Sequence, residues 1–248
     1  MTNEVYNMDC MEYMRTLPDK AFQLAIADPP YGINAAKMGM GGTKDHRRIA
    51  RKLYKEHTEK GRLNSGAGKL KDRLLNRSMI DWDNQVPTQE FFDELRRVCD
   101  NVIIWGANYY PQFLSHSMGW VVWDKGQHGL TMSDGELAYT SFERALRIVT
   151  INRGAIAQDG AIHPTQKPVA LYAWLLKNYA KPGDRIFDPM MGSQSSRSAA
   201  YKMGFDYVGC ELDKEYFDKG CERFNRECKG EIVTKDGNIV KQMSLFDL

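Results

Sequence analysis

Apolar residues along this chain form short continuous runs that alternate with segments of helical spacing. The runs at 22–27, 101–105 and 120–124 are short and mostly apolar, as buried strands are. The segments at 88–98 and 169–179 repeat apolar residues with a period of about 3.6, which predicts amphipathic helices. Strands that alternate with helices predict an α/β fold with a doubly wound, mostly parallel sheet.

The remaining predicted elements extend this alternation to both ends of the chain. They are a strand at 5–9, a helix at 11–17, a hairpin of 137–142 with 146–150, strands at 185–188 and 207–211, and helices at 195–203 and 214–227. A threonine at position 88, followed by acids, predicts the N-cap of the helix at 88–98. We expect residues 1–248 to form a single α/β domain.

Composition places the chain among globular proteins. It has 248 residues, of which 42% are hydrophobic, enough for one large core. It has no apolar run of the roughly 18 residues that a membrane span needs, and residues 1–6 do not resemble a signal peptide. The five cysteines form no C-x-x-C pair, which favours a reduced, cytoplasmic setting and no metal site.

Charge is distributed unevenly, although the net charge is only +2. Residues 33–77 hold thirteen Lys or Arg against four Asp or Glu, together with six glycines. This composition predicts a basic insert over 33–80 that lies outside the core. A solvated charged loop is one interpretation, and contact with nucleic-acid phosphates is the other.

The strand at 22–27 runs directly into Asp28, Pro29, Pro30 and Tyr31. Two successive prolines fix φ twice and remove two backbone donors, so the turn is stiff and its carbonyls are free to accept hydrogen bonds. A carboxylate, an outward carbonyl and a flat ring in one turn suit the binding of a planar base that carries an exocyclic amine. The two oxygens accept the hydrogens of the amine, and the ring stacks on the base. A purely structural turn after a core strand is the alternative.

A second turn, at 188–196, joins the strand at 185–188 to the helix at 195–203. Glycine and serine in such a turn let the backbone approach a ligand and direct free amides towards it. About 20 residues further on, Glu211 ends the next strand, where Rossmann-like sheets place an acid that binds ribose hydroxyls. The pattern favours an adenosyl cofactor over a plain strand–turn–helix connection.

Three blocks of the sequence carry a family resemblance. Residues 28–31 resemble the catalytic motif of S-adenosylmethionine-dependent amino-methyltransferases that act on DNA bases. Residues 188–196 are similar to that family's Asp-Pro-Phe-x-Gly-Ser-Gly-Thr-Thr cofactor loop, and 163–168 (His-Pro-Thr-Gln-Lys-Pro) match the segment before it. Because the catalytic turn precedes the cofactor loop, the order resembles the family's beta group, with matching blocks at 5–32 and 102–225.

The resemblance implies a Rossmann-like methyltransferase sheet and a site-specific enzyme. The enzyme would move a methyl group from S-adenosylmethionine to N6 of an adenine flipped out of double-stranded DNA. An Asp before Pro-Pro-Tyr favours adenine N6 over cytosine N4 in the family. Cytosine N4 methylation, methylation of RNA or of protein amides, and a nucleic-acid-binding relative with little or no turnover stay open.

The resemblance also assigns residues. It implies catalytic roles for Asp28, Pro29, Pro30 and Tyr31. The residues that it assigns to the cofactor are Asp9, Thr165, Lys167, Asp188, Pro189, Met190, Gly192, Ser193, Ser195 and Glu211. Among these, Asp9 is expected near the adenine, Glu211 at the ribose, and Thr165 and Lys167 near the cofactor's carboxylate.

One position departs from the family pattern. Gln194 stands where the family usually has the second glycine of the cofactor loop. A non-glycine residue at positive φ costs about 1–2 kcal/mol, and a side chain at this position has the reach to crowd the cofactor. We interpret Gln194 as a tolerated variation that weakens cofactor affinity.

Two further regions carry predictions about partners. Residues 106–162 are the predicted target-recognition region, and Trp105–Tyr110 are candidates for the base pocket, although core packing is favoured for Trp105. The tail at 229–248 contains Gln242-Met243-Ser244-Leu245-Phe246, which resembles the peptide that docks into the bacterial sliding clamp. Folding of the tail onto its own domain is the alternative. A homodimer, and a nucleoid-associated place in the cytoplasm of a bacterial or phage-infected cell, complete the expectations.

Overall fold

An eight-stranded sheet forms the centre of the computed structural model. The structure describes residues 1–33, 39–40, 73–74, 83–126, 133–152, 161–163, 165–233 and 238–241. The strands of the large sheet are β1 (Asn3–Tyr6), β2 (Phe22–Ala27), β5 (Cys99–Trp105), β6 (Trp120–Asp124), β7 (Gly135–Thr140), β8 (Arg147–Thr150), β9 (Arg185–Asp188) and β10 (Asp206–Cys210). Two short antiparallel pairs lie outside it: β3 (Gly39–Met40) with β4 (Arg73–Leu74), and β11 (Glu231–Val233) with β12 (Ile239–Lys241).

The strand order of the large sheet is β1-β10-β9-β2-β5-β7-β6-β8. Neighbours from β1 to β5 pair in parallel, and β6 pairs in parallel with β8. Strand β7 runs antiparallel to both of its neighbours, β5 and β6. The mostly parallel α/β sheet predicted from the sequence is therefore confirmed.

Helices cover both faces of this sheet. They are α1 (Cys10–Arg15), α2 (Gln89–Val98), α3 (Val169–Tyr179), α4 (Ser195–Met203) and α5 (Lys214–Phe224). Leu24 and Ile26 of β2 share one apolar cluster with α3 and α4, whereas Ala25 and Ala27 share the other with α1 and α2. Successive residues of a strand point to opposite faces, so a continuous apolar run fills both layers and gives the doubly wound arrangement.

Two local predictions need correction. The predicted hairpin of 137–142 with 146–150 is wrong, because β6 lies between β7 and β8 and pairs with both. Strand β6 takes this interior position because its Val121 and Trp123 are buried, whereas the short β8 is mostly exposed. The predicted helix at 214–227 ends its α-helical part at Phe224 and continues as a π-helical turn, Asn225–Lys229. Thr88 occupies the N-cap of α2 as predicted, but its side chain makes no capping hydrogen bond.

The parallel strands set the position of the functional site. Strands β1, β10, β9 and β2 run in the same direction, so the segments that follow them emerge at one edge of the sheet. Because β9 and β2 are neighbours, the turn after β2 and the loop after β9 lie side by side, although about 160 residues separate them in sequence. Ligands of open α/β sheets bind at such an edge.

Some predictions fall on residues that the structure does not describe. Of the basic insert at 33–80, only residues 33, 39–40 and 73–74 are described. The clamp-like residues 242–246 also lie outside the described part of the chain. Among the helices that are described, none has the length and apolar character needed to cross a membrane.

Candidate active site

A cavity of 420 Å³ lies where β1, β10, β9 and β2 end. The residues predicted from sequence that line it are Asp9, Asp28, Pro30, Thr165, Lys167, Pro189, Met190, Gly192, Ser193 and Glu211. The catalytic turn and the cofactor loop thus share one cavity. Its volume falls within the range of about 300–1,000 Å³ that is typical of sites for small molecules and cofactors.

Four predicted site residues lie outside the cavity lining: Pro29, Tyr31, Asp188 and Ser195. The carboxylate of Asp188 is buried below the loop, where it accepts hydrogen bonds from the Met190 amide at 3.0 Å and the Ser196 hydroxyl at 2.5 Å. Burial raises the pKa of Asp188 to about 7. The Ser195 hydroxyl lies 3.1 Å from that of Ser193. Asp188 and Ser195 therefore stabilise the cofactor loop without lining the cavity.

The cavity is also lined by residues to which the sequence assigned no role in the site. These are Met8, Cys10, Met11, Gln85, Val86, Pro87, Thr88, Phe91, His163, Gln166, Tyr172, Met191, Leu212 and Tyr216. The His163 ring meets Tyr216 edge-on at 4.3 Å, and burial lowers the pKa of His163 to about 3, so the ring is neutral at physiological pH. His163 begins the His-Pro-Thr-Gln-Lys-Pro segment, which was the available signal. Residues 85–88 carry no comparable motif.

Hydrogen bonds to one buried acid brace the catalytic turn. The amides of Tyr31 and Gly32 donate to the same oxygen of Asp83, at 2.7 and 2.9 Å. The Tyr31 hydroxyl donates to Asp28 Oδ1 at 2.7 Å, which orients the carboxylate. The prolines therefore stiffen the turn from within, and Asp83 fixes it to the segment that follows the basic insert.

The ring of Tyr31 packs against the 3₁₀ turn after β5. It stacks on Tyr109 with 4.8 Å between ring centroids and an angle of 14° between planes. A Cβ at Gly106 would lie 2.1 Å from the Tyr31 ring, so only glycine allows this approach. Trp105 is fully buried, as the favoured interpretation predicted, while Tyr109 is partly exposed beside Tyr31.

Four charged side chains form a buried chain of ion pairs behind the catalytic turn. Lys167 Nζ lies 2.5 Å from Asp28 Oδ2 and 3.1 Å from Glu136 Oε2. Lys125 Nζ lies 2.8 Å from the other oxygen of Glu136. Burial opposes the ionisation of Glu136, but Lys167 and Lys125 lower its pKa to about 2. Burial likewise opposes the charge on Lys167, yet Asp28 and Glu136 raise its pKa.

The Lys167 ammonium therefore faces the Asp28 carboxylate. Lys167 was expected near the carboxylate of the cofactor, and its side chain does line the cavity, but its ion pairs are with Asp28 and Glu136. For Asp28, burial raises the pKa, and the charge of Lys167 opposes that rise. Glu136 and Lys125 were not predicted, because neither residue belongs to a sequence motif.

Glu211 and Asp9 are positioned by backbone amides. The carboxylate of Glu211 accepts hydrogen bonds from the amides of Gly192 and Asp213, both at 2.8 Å. Burial raises the pKa of Glu211 to about 7. Asp9 accepts from the amide of Met11 at 2.7 Å and so caps α1 while it lines the cavity. Both acids therefore line the cavity with their carboxylates held by backbone amides.

Gln194 adopts the left-handed conformation expected of a glycine, with φ of 60°. Its side chain lies between α4 and α5, where it donates to the Phe217 carbonyl at 3.0 Å and accepts from Arg197 at 2.8 Å. It is fully buried and does not line the cavity. The crowding of the cofactor that the sequence suggested therefore has no support in the structure.

The fold is shared with several solved structures. M1.HpyAVI in complex with SAM superimposes with a TM-score of 0.52 at 17% identity, over 90% of this chain and 98% of that one. TTHA0409 of Thermus thermophilus, complexed with S-adenosyl-L-methionine, gives 0.53 at 14% identity, over 92% and 96%. The cytosine-N4-specific PvuII DNA methyltransferase gives 0.53 at 13% identity, over 90% and 87%. These neighbours show the fold, which is the Rossmann-like fold of methyltransferases.

Sequence comparison matches part of the chain to one family. Residues 122–222 match the N6_N4_Mtase family model, described as DNA methylase. A stretch of 93 residues is 36% identical to the DNA adenine methyltransferase YhdJ of Escherichia coli K12 and covers 35% of this chain and 32% of that relative. These matches confirm the resemblance to the DNA amino-methyltransferases. The segment that matches the family model includes Glu136, Lys167 and the cofactor loop.

Proposed function

We propose that this chain is an S-adenosylmethionine-dependent DNA methyltransferase that methylates the exocyclic N6 of an adenine flipped out of duplex DNA. One observation carries the proposal. Asp28 and Pro30 of the catalytic turn line the same cavity as residues 189–193 of the cofactor loop. The two sequence motifs that the reaction requires are thus brought to one place by the adjacency of β2 and β9.

The cavity residues fit an adenosyl sulfonium cofactor. Glu211 offers an acceptor to the ribose hydroxyls, Asp9 lies at the proposed adenine end, and Thr165 with the loop around Gly192 lines the proposed methionine end. The loop at the start of α4 suits a carboxylate, because helix N-termini attract anions. When bound, the cofactor supplies an electrophilic methyl group, and the protein's contribution is to place a nucleophile in front of it.

The nucleophile is the exocyclic amine of the target base, and the catalytic turn positions it. The Asp28 carboxylate accepts a hydrogen bond from the target amine and stabilises the positive charge that develops on nitrogen. The Pro29 carbonyl accepts the second amine hydrogen. Tyr31 stacks on the base, and stacking worth about 1–3 kcal/mol offsets part of the cost of taking the base out of the duplex.

Two observations favour adenine as the target base. The residue before Pro-Pro-Tyr is Asp, and the relative YhdJ is named a DNA adenine methyltransferase. Cytosine N4 is the second candidate, because the PvuII neighbour is cytosine-N4-specific and has the same fold. The catalytically inactive alternative loses its basis, since it depended on Gln194 and that side chain lies away from the cavity. The basic insert and the motif order argue against RNA or protein amides.

Replacement of Asp28 tests the proposal. Asp28→Ala should lower methyl transfer to duplex DNA by about 10²–10³-fold, because charge that develops on the amine loses its partner. Cofactor affinity should stay within about twofold, since the proposed ribose and adenine acceptors are untouched. The measurement is transfer of a radiolabelled methyl group, followed by digestion to nucleosides, which separates N6-methyladenine from N4-methylcytosine.

Asp100→Ala is the matched control, because Asp100 is an exposed acid at the far end of β5. It should retain the activity of the unmodified protein. Near-normal transfer by the Asp28 variant would contradict the assignment of the catalytic turn. Labelled cytosine instead of adenine would replace the first candidate with the second.

The same proposal includes partners and location. The partner is double-stranded DNA, contacted through the basic insert at 33–80 and a target-recognition region within 106–162. Docking of residues 242–246 to a sliding clamp, homodimer formation and a nucleoid-associated cytoplasmic location are further proposals. They rest on the sequence, because the structure does not describe residues 242–248 and contains one chain.

A further inference from the structure

The catalytic carboxylate already has a partner on each oxygen. Tyr31 donates its hydroxyl to Asp28 Oδ1 at 2.7 Å, and Lys167 places its ammonium 2.5 Å from Oδ2. In the proposed reaction the target amine must reach this carboxylate. A cationic nitrogen therefore stands where the amine has to form its hydrogen bond.

Lys167 has a second anion within reach. Its ammonium is 3.1 Å from Glu136 Oε2, and its side chain is only 2% exposed, so it cannot turn out into water. Glu136 in turn is bound on its other oxygen by Lys125, at 2.8 Å. Two carboxylates and two ammonium groups thus balance, and Lys167 is shared between the two carboxylates.

We propose that Lys167 is a removable counter-ion of Asp28, and that Glu136 is the positioning residue that retains Lys167 when the target amine takes its place. The inference rests on the proposed function, because it concerns the approach of the amine to Asp28. Before the base arrives, Lys167 stabilises an ionised Asp28 in a largely buried site. Once the amine arrives, Glu136 keeps the displaced ammonium paired.

The surroundings of Lys167 define its response to pH. The groups that face it are Asp28 and Tyr31 from the turn after β2, Glu136 from β7, Trp105 from β5 at 5.4 Å, and His163 from its own segment. Tyr172 of α3 and Asp188 of β9 lie near Asp28, and Lys125 lies beyond Glu136. With one of its two anions removed, Lys167 would lose its proton at a lower pH.

Two variants separate this role from a structural one. Glu136→Gln removes the charge at constant shape, so Lys167 has only Asp28 as an anion and competes more strongly with the amine. We expect the single-turnover methylation rate at neutral pH to fall about tenfold or more, while S-adenosylmethionine affinity stays within about twofold. The defect should shrink at alkaline pH, where Lys167 becomes neutral and leaves Asp28.

Lys125→Met acts in the opposite direction. It leaves Glu136 with Lys167 as its remaining cation, so Glu136 should draw Lys167 away from Asp28 and the rate at neutral pH should rise. Methionine keeps the length and apolar stem of the side chain. This variant also decides the question if the Glu136 variant does not fold.

The unmodified protein is assayed in parallel with duplex DNA, labelled S-adenosylmethionine and a range of pH. A wild-type rate and pH profile in Glu136→Gln would overturn the inference. So would an equal loss of rate in both variants at every pH, or a loss in Lys125→Met alone. Absence of methyl transfer by the unmodified protein would instead overturn the proposed function, and the inference with it.

Discussion

At the scale of single residues, Glu211 is an acid that titrates inside the cavity. Two backbone amides bind its carboxylate, yet burial raises its pKa to about 7. The ionised form is the better acceptor for ribose hydroxyls. Cofactor binding therefore favours loss of the proton, and affinity should decrease as the pH falls through the pKa of the free protein.

The dissociation constant of S-adenosylmethionine is accordingly expected to rise about tenfold between pH 8 and pH 6. Isothermal titration at several pH values measures this change. Glu211→Gln should bind more weakly at pH 8 and depend less on pH. Asp188→Asn is the control, because burial raises the pKa of Asp188 to about 7 as well. A steep pH dependence that survives in Glu211→Gln but disappears in Asp188→Asn would assign the effect to Asp188.

The sequence identified the residues that belong to motifs and missed those that act on them. Asp28 and Glu211 could be predicted, since each follows an apolar strand at a recognisable position. Glu136 and Lys125 could not, because isolated charges near the ends of strands usually face solvent. Only the pairing of β6 with β7, and of β7 with β5, brings these two charges to Lys167.

At the scale of secondary-structure elements, the contact between α4 and α5 explains how the loop tolerates Gln194. A Cβ at Gly220 would lie 2.6 Å from the Gln194 side chain, so the missing side chain on α5 makes room for the glutamine. Hydrogen bonds to Phe217 and Arg197 then hold Gln194 in its left-handed conformation. Gln194 thus replaces the loop glycine of the family, and Gly220 on the facing helix provides the space that the glutamine side chain needs.

Gly220→Ala should lower the free energy of unfolding by about 1–3 kcal/mol, because the added methyl group overpacks the contact. In a Gln194→Gly background the same substitution should be neutral or stabilising, since alanine favours the helix by about 1 kcal/mol. Denaturant unfolding of the two single variants and the double variant gives the coupling energy. Additive effects would show that the two residues do not share this space.

Periodicity predicted the elements better than their pairing. Strands at 22–27, 120–124 and 185–188 and the helix at 169–179 have the bounds that the sequence predicted. The predicted pairing of β7 with β8 was wrong. The pattern of apolar residues identifies a strand, but it carries no information about the strands with which it pairs. The short connection between β7 and β8 favoured a hairpin of 137–150. Instead β6 lies between these two strands, where its apolar side chains are buried.

At the scale of the whole molecule, the net charge of +2 conceals the segment that should bind DNA. Replacement of Arg47, Arg48 and Arg51 by Gln should weaken binding to cognate and unrelated duplexes alike. The slope of log K against log salt should become shallower by about 0.9 for each phosphate that the variant no longer neutralises. Fluorescence anisotropy over a range of salt concentrations measures both. The control is the replacement by Gln of three exposed lysines in the C-terminal part of the chain, Lys202, Lys214 and Lys229.

A decrease of affinity for the cognate site alone would contradict a phosphate role for these arginines. An unchanged salt slope would show that other residues neutralise the DNA phosphates. The control variant should keep the slope of the unmodified protein. These outcomes rely on charge alone, which the sequence supplies for residues 33–77.

Strand order is what unites the site over the whole chain. The motifs could be recognised in the sequence, but the adjacency of β2 and β9, which brings them to one cavity, had to come from the structure. The structure also shows that residues 106–162 include β6, β7 and β8 of the central sheet. Val121, Trp123 and Ala138 are buried there, so this region contributes to the core as well as to the surface.

The ion pairs of Lys125 and Glu136 have a practical consequence for hybrid enzymes. An exchange of residues 106–162 between relatives, made to alter the DNA sequence that is read, would also replace the partners of Lys167. On the proposed role of Lys167, a hybrid that lacks Lys125 and Glu136 should have a lower rate of methyl transfer. Splice points that leave residues 120–137 in the recipient would keep both Lys125 and Glu136.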